Sequence, residues 1–205
     1  MAKNYYCYPR PGFVPETRTL SDGTLVAHAG DTPFWCAQDM RVYRLDDAGV
    51  FVRQKVYEWD TKKYAQIGPS GHPIGHTYPG FNYRGTNYDV HRLMAMAWIG
   101  TIPEGWQVDH KNGDIYNWSL DNIRIVTVAE NYRCGVILRW LRGKGVDTKA
   151  LTGMQAMVAF VIVPMLGIER RNDIQKAEIM EIISKYEIGD HAERMEYEMT
   201  HHMEC

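Results

Sequence analysis

The chain has 205 residues, 45% of them apolar, and a net charge of -2, an ordinary globular composition with enough apolar material for one substantial domain or two small ones. Its four cysteines, Cys7, Cys36, Cys134 and Cys205, stand singly, which excludes a zinc knuckle or a disulfide framework and points to a reducing, cytoplasmic setting. The longest apolar stretch, Met154 to Ile168, contains Gln155 and Pro164 and falls short of the roughly 20 residues that a bilayer requires, so it reads as buried helix and no membrane partner is expected.

From Tyr5 to about Tyr83 short strands are predicted, such as Met40 to Leu45 and Val50 to Val52, separated by Asp-Gly, Pro-Gly and Asp-Asp-Ala-Gly turns. The start carries Tyr5, Tyr6 and Tyr8 where a secretory signal would need an unbroken apolar run, so export is not expected. Those tyrosines read as strand and core aromatics, with stacking on bases as the alternative. Ile67 to Tyr83, rich in Gly and Pro, reads as loop or irregular hairpin.

Asp89 is placed to cap a helix in which His91, Met94, Ala95 and Trp98 share one face, and Gly100 supplies the stop. A short strand, Trp106 to Asp109, then leads into a polar loop, Lys111 to Asp121, and an apolar strand, Ile123 to Val126. Thr127-Val128-Ala129-Glu130 has the form of a capping box, which starts a helix with Asn131 in its first turn and runs it to Leu141, before Gly143 and Gly145. Two further helices are predicted at about Lys149 to Val163 and Asp173 to Tyr186, broken at Pro164 and Gly167, with Asn172 as a cap for the second. The tail beyond Gly189 is acidic and holds His201 and His202. Charge follows the same division: residues 1–81 carry nine basic against eight acidic groups, 82–145 eight against six, and 146–205 six against eleven.

Cutting a phosphodiester requires a base to activate water, a cation beside the phosphoryl oxygens and stabilisation of the departing oxygen. Asp109 and His110 adjoin at a strand end, Asn122 leads the next strand and Asn131 enters the following helix. Carboxylate and amide oxygens are hard ligands suited to Mg²⁺, and an imidazole accepts a proton near neutral pH. Neighbours in a regular strand point to opposite faces, so Asp109 and His110 are expected where strand gives way to loop at Lys111-Asn112-Gly113-Asp114.

Val90-His91-Arg92-Leu93, Val108 to Asp114, Asn117, Asp121-Asn122-Ile123-Arg124 and Val126 to Asn131 together resemble the HNH endonucleases of phage and homing type, over about residues 88–133. The resemblance implies a ββα-metal core, matching the predicted order of strand, loop, strand, helix. It implies Asp109 and Asn131 as ligands of a single Mg²⁺ or Mn²⁺, His110 as general base, and Asn122 as the brace that keeps His110 aimed. DNA is the implied substrate.

His91 reads either as a buried, hydrogen-bonded histidine or, with Arg92, as a group approaching the phosphate. Lys111, Arg124, Arg133, Arg139, Arg142 and Lys144 surround the proposed site in sequence and are candidates for contact with the DNA backbone, with a solvated helix face as the plainer explanation. The expected architecture is α+β: a β-rich region over 1–83, the HNH domain over 84–145, and a helical extension with an acidic tail over 146–205. The extension's charge argues against DNA reading and leaves packing or homodimer formation through its apolar stripe. An HNH fold that binds DNA without cutting it is the alternative function.

Overall fold

Turn chemistry decides the N-terminal topology. In the computed structural model, which describes residues 12–57, 66–67, 73–74 and 78–187, five strands follow one another as an antiparallel meander: β1 (Thr17–Thr19), β2 (Leu25–His28), β3 (Phe34–Ala37), β4 (Val42–Leu45) and β5 (Phe51–Arg53). The β4–β5 turn shows why: Asp46 Oδ1 accepts from the backbone N–H groups of Ala48 and Val50, and Gly49 takes the left-handed conformation that closes the loop. A two-residue ladder joins β6 (Gln66–Ile67) to β7 (Pro73–Ile74), within the stretch expected to be loop or hairpin.

The hairpin of β8 (Gly80–Tyr83) and β9 (Thr86–Asp89) feeds helix α1 (Val90–Trp98). Asp89 holds the predicted N-cap position in extended backbone, but its side chain makes no capping bond. The apolar face of α1 packs on β2 and β3, and the Trp98 indole N–H donates to the Cys36 carbonyl at 2.9 Å. Phe34 meets the rings of Phe81, Tyr83 and Tyr88 edge-on at 4.7–5.5 Å, an arrangement suited to the aromatic quadrupole. On the other face of the sheet Val26, Trp35, Ala37 and Tyr43 form a second small core.

The described residues group into two compact units, one of 12–102 with 115–120, the other of 103–114 with 121–187. The second unit contains the hairpin of β10 (Trp106–His110) and β11 (Ile123–Thr127), followed at once by α2 (Val128–Gly143). Both halves of the predicted capping box form: Thr127 Oγ1 accepts from Glu130 N, and Glu130 Oε2 accepts from Thr127 N. The order is strand, loop, strand, helix within a mixed helix and sheet fold.

The helices beyond differ in detail from the sequence expectation. A 3₁₀ turn at Thr148–Ala150 precedes α3 (Gly153–Met165), because Thr152 and Gln155 form a second capping box that restarts the helix. Pro164 lies in the last turn of α3, where its ring ends the helix within two residues. A short helix, α4 (Ile168–Asp173), then encloses Asn172, which therefore caps nothing, and α5 (Lys176–Glu187) follows. Leu138 and Leu141 of α2, Ala156, Phe160 and Val163 of α3, and Ile179 and Ile183 of α5 share one core, so much of the apolar stripe of 154–168 is used inside this unit. The tyrosines near the start and the acidic tail with His201 and His202 lie outside the described residues.

Candidate active site

Cross-strand register fixes which side chains can meet. Asp109 of β10 lies opposite Arg124 of β11, and His110 opposite Ile123. Opposed residues share a sheet face, and so do Gln107 and Asp109, two apart. On that face Arg124 Nε and Nη2 both donate to Asp109 Oδ2, at 2.9 and 2.6 Å. Arg124 Nη2 also donates to Cys134 Sγ at 2.9 Å, and the guanidinium lies 4.9 Å over the Phe160 ring. Burial opposes the Arg124 charge, but Asp109 and Cys134 more than offset it and hold the guanidinium firmly protonated.

Helix α2 closes this layer. Asn131 Nδ2 donates to Gln107 Oε1 at 2.6 Å, and Cys134, one helical turn further on, reaches Arg124. Asp109, through Arg124, and Asn131, through Gln107, therefore both belong to the layer between hairpin and helix. Among the described residues, Asp109 Oδ1 and Asn131 Oδ1 enter no hydrogen bond, since the partners of both side chains occupy the other atoms. The Asp109 side chain keeps 11% exposure. One carboxylate oxygen and one amide oxygen are donors that fit an Mg²⁺ or Mn²⁺ ion retaining much of its water shell. No cluster of three or more His, Cys, Asp and Glu occurs among the described residues, so no closed protein cage competes with this open pair.

His110 is the last residue of β10, one beyond the predicted strand end, and by the pleat its side chain leaves the face opposite to Asp109. The two groups share a ligand only around the end of the hairpin, where the chain turns. Burial pushes the imidazole below its usual value, against the opposite pull of Asp109 and Asp114. A neutral ring at neutral pH is the form that accepts a proton.

The turn after His110 is held from several sides. Asn122 O accepts from Lys111 N at 2.7 Å, and Asn122 Oδ1 accepts from Asn112 N at 3.1 Å. Gly113 N donates back to His110 O, with Gly113 in the left-handed region. Buried Asn112 donates through Nδ2 to the carbonyls of Lys149 and Leu151, while its Oδ1 accepts from Asp114 N. Asn122 thus ties the loop to the start of β11 through its backbone carbonyl and its amide oxygen. Gln107, Asn112 and Cys134 are additions that sequence reasoning passed over. Two faint signals existed: Gln107 stands one strand period before Asp109, and Cys134 one helical turn after Asn131.

The basic candidates scatter. Arg133, Arg139 and Arg142 are exposed on α2, and Arg142 Nε donates to Thr148 Oγ1. Lys144 is half-buried and donates to Asn172 O, while Lys111 Nζ donates to Asp121 O. Burial lowers the Lys111 ammonium, with the Asp121 carboxylate opposing. Arg124 is 3% exposed and committed to Asp109. His91 is buried with its ring 4.4 Å from that of Tyr78, and Arg92 is exposed; both belong to the N-terminal unit.

Residues 88–133, which hold α1, the hairpin and the start of α2, match the sequence model of a family described as HNH endonuclease. Over that segment the chain is similar to the HNH endonucleases. It is also 27% identical, over 158 residues, to YosQ, an SPbeta prophage-derived protein of Bacillus subtilis (strain 168) whose given name proposes it as an HNH homing endonuclease. That alignment covers 76% of this chain and 82% of the relative, so the likeness extends beyond the motif on either side. No solved structure matches the chain. Among the described residues no helix is long and apolar enough to cross a membrane.

Proposed function

We propose that this protein is an HNH endonuclease that hydrolyses DNA phosphodiester bonds with one Mg²⁺ or Mn²⁺ ion, in the manner of a homing or phage nuclease acting in the bacterial cytoplasm. The observation that carries the reading is that Asp109 and Asn131 each keep one side-chain oxygen uncommitted in the layer between hairpin and helix, with the buried His110 imidazole at the end of the same strand as Asp109. Asp109 and Asn131 would hold the cation, which supplies positive charge to the phosphoryl group and to the departing oxygen.

His110 takes the proton from the attacking water. Asn122 and Asn112 fix the backbone on either side of the turn, so that the ring does not swing away from the phosphate. Arg124 orients Asp109 and is set apart from the DNA-contacting groups by its burial. Arg133 and Arg139, exposed on α2, are the better placed for phosphate oxygens, whereas Lys111 and Lys144 already hold backbone carbonyls and Arg142 the Thr148 hydroxyl. His91 is a packing residue in this reading.

Cleavage of supercoiled plasmid with Mg²⁺ or Mn²⁺, repeated with EDTA, tests the proposal. Nicked or linear product that disappears on chelation is expected. DNA binding without cleavage, on the native target sequence as well as on plasmid, would instead leave a DNA-binding HNH fold without catalysis.

A further inference from the structure

With a net charge of -2, this chain can hold a polyanion only where cations gather locally. One such place lies in the N-terminal unit. A cleft of about 370 Å³ opens beside β4 and the edge strand β5, lined by Arg41, Val42, Arg53, Gln54, Lys55 and Trp118. Its three cations are not equivalent. Arg41 is matched by Asp39 at 2.6 Å and by Asp22 at 3.9 Å. Arg53 and Lys55 are exposed, and among the described residues neither joins an ion pair; the Lys55 ammonium lies 5.2 Å over the Tyr57 ring.

Trp118 lines the same cleft, and its indole N–H donates to the Met40 carbonyl at 3.1 Å, which fixes the ring. Trp118 comes from the loop between β10 and β11, inside the HNH motif, yet residues 115–120 pack with the N-terminal unit. A held aromatic ring lining the same cleft as two exposed cations that join no ion pair among the described residues, Arg53 sharing only a longer-range attraction with Asp39, is the chemistry of a nucleic-acid backbone site: charge for phosphate oxygens, a flat apolar surface for sugar or base.

We propose that this cleft binds the phosphate backbone of the DNA substrate, with Arg53 and Lys55 on phosphate oxygens and Trp118 against the adjoining nucleotide. The inference rests on the DNA reading above and adds a contact region outside the nuclease hairpin. Arg53 serves the site better than a second lysine would, because its guanidinium can fork onto two oxygens of one phosphate.

The test is fluorescence anisotropy of a labelled DNA duplex with the full chain in EDTA, across a salt series, comparing wild type with Arg53→Gln/Lys55→Gln. Loss of two phosphate contacts should make the slope of log K against log salt shallower by roughly 2 and weaken binding roughly tenfold or more at about 0.1 M salt. The melting temperature should stay unchanged, and Arg53→Lys/Lys55→Arg should restore most of the affinity. Equal affinity and equal slope in the double variant, with wild type binding well, would overturn the cleft alone. A wild type that binds no DNA even at low salt would overturn the DNA reading and this inference together.

Discussion

Arg124 and Asp109 form the most consequential pair in the second unit, because both are largely removed from water and one of them carries a proposed ligand oxygen. A buried guanidinium that loses its carboxylate, or the reverse, is left uncompensated, typically at a cost of 3–5 kcal/mol. Arg124→Met should therefore lower stability by about 3 kcal/mol, the small end of that range, since Asp109 keeps some exposure. Urea denaturation measures this, and a loss under about 1 kcal/mol would mean that the pair holds nothing in place. His110 gives a second prediction at this scale. Its folded imidazole titrates below the ordinary 6.5, so the unfolded chain takes up a proton that the folded one refuses. Stability is complete above that ordinary value and falls as pH drops through it towards the folded value. The urea midpoint should drop between about pH 7.5 and 5.5, and His110→Gln should flatten that drop; an equal drop in both proteins would assign it to other groups.

At the scale of elements, the start of α3 is pressed against the start of β11. Gly153 N donates to Asp121 Oδ2 at 3.0 Å, and a Cβ at Gly153 would lie 2.0 Å from the Asp121 carbonyl oxygen. Gly153→Ala must push the helix off the hairpin and should cost about 1–3 kcal/mol, read from chemical denaturation; wild-type stability in that variant would contradict this packing. The sequence showed α1, β10, β11 and α2 with nearly correct limits, because their apolar periods, Gly100 and the Thr127–Glu130 capping box are local signals. It also brought Asp109, His110, Asn122 and Asn131 into view through their spacing. It did not show the Asp109–Arg124 clasp, because Arg124 reads as one more basic residue until cross-strand register sets it opposite the carboxylate. Nor did it show the restart of α3 at Thr152 or the short α4, where apolar content alone suggested longer helices. Gly153 fell unremarked within the expected helix from Lys149 to Val163, and its missing side chain is what permits the close approach.

Over the whole molecule, the HNH match does not coincide with one packing unit. Residues 88–133 supply α1 and the 115–120 loop to the N-terminal unit, and the hairpin and helix to the other. This interleaving is a matter of contacts distant in sequence, such as Trp98 to Cys36 and Trp118 to Met40, which no local pattern reports. The segments 1–83, 84–145 and 146–205 describe the order of composition along the chain, not its packing. The interleaving gives Trp118 its place: the turn that follows His110 leads into a loop that walls the cationic cleft beside β5. The central claim is that His110 activates the attacking water, and its most direct test is the single-turnover rate of DNA cleavage with Mg²⁺ for wild type and His110→Ala, at protein concentrations that saturate the DNA. The account predicts a fall of about 10²–10⁴-fold with DNA affinity unchanged. A variant that cleaves at the wild-type rate would contradict it.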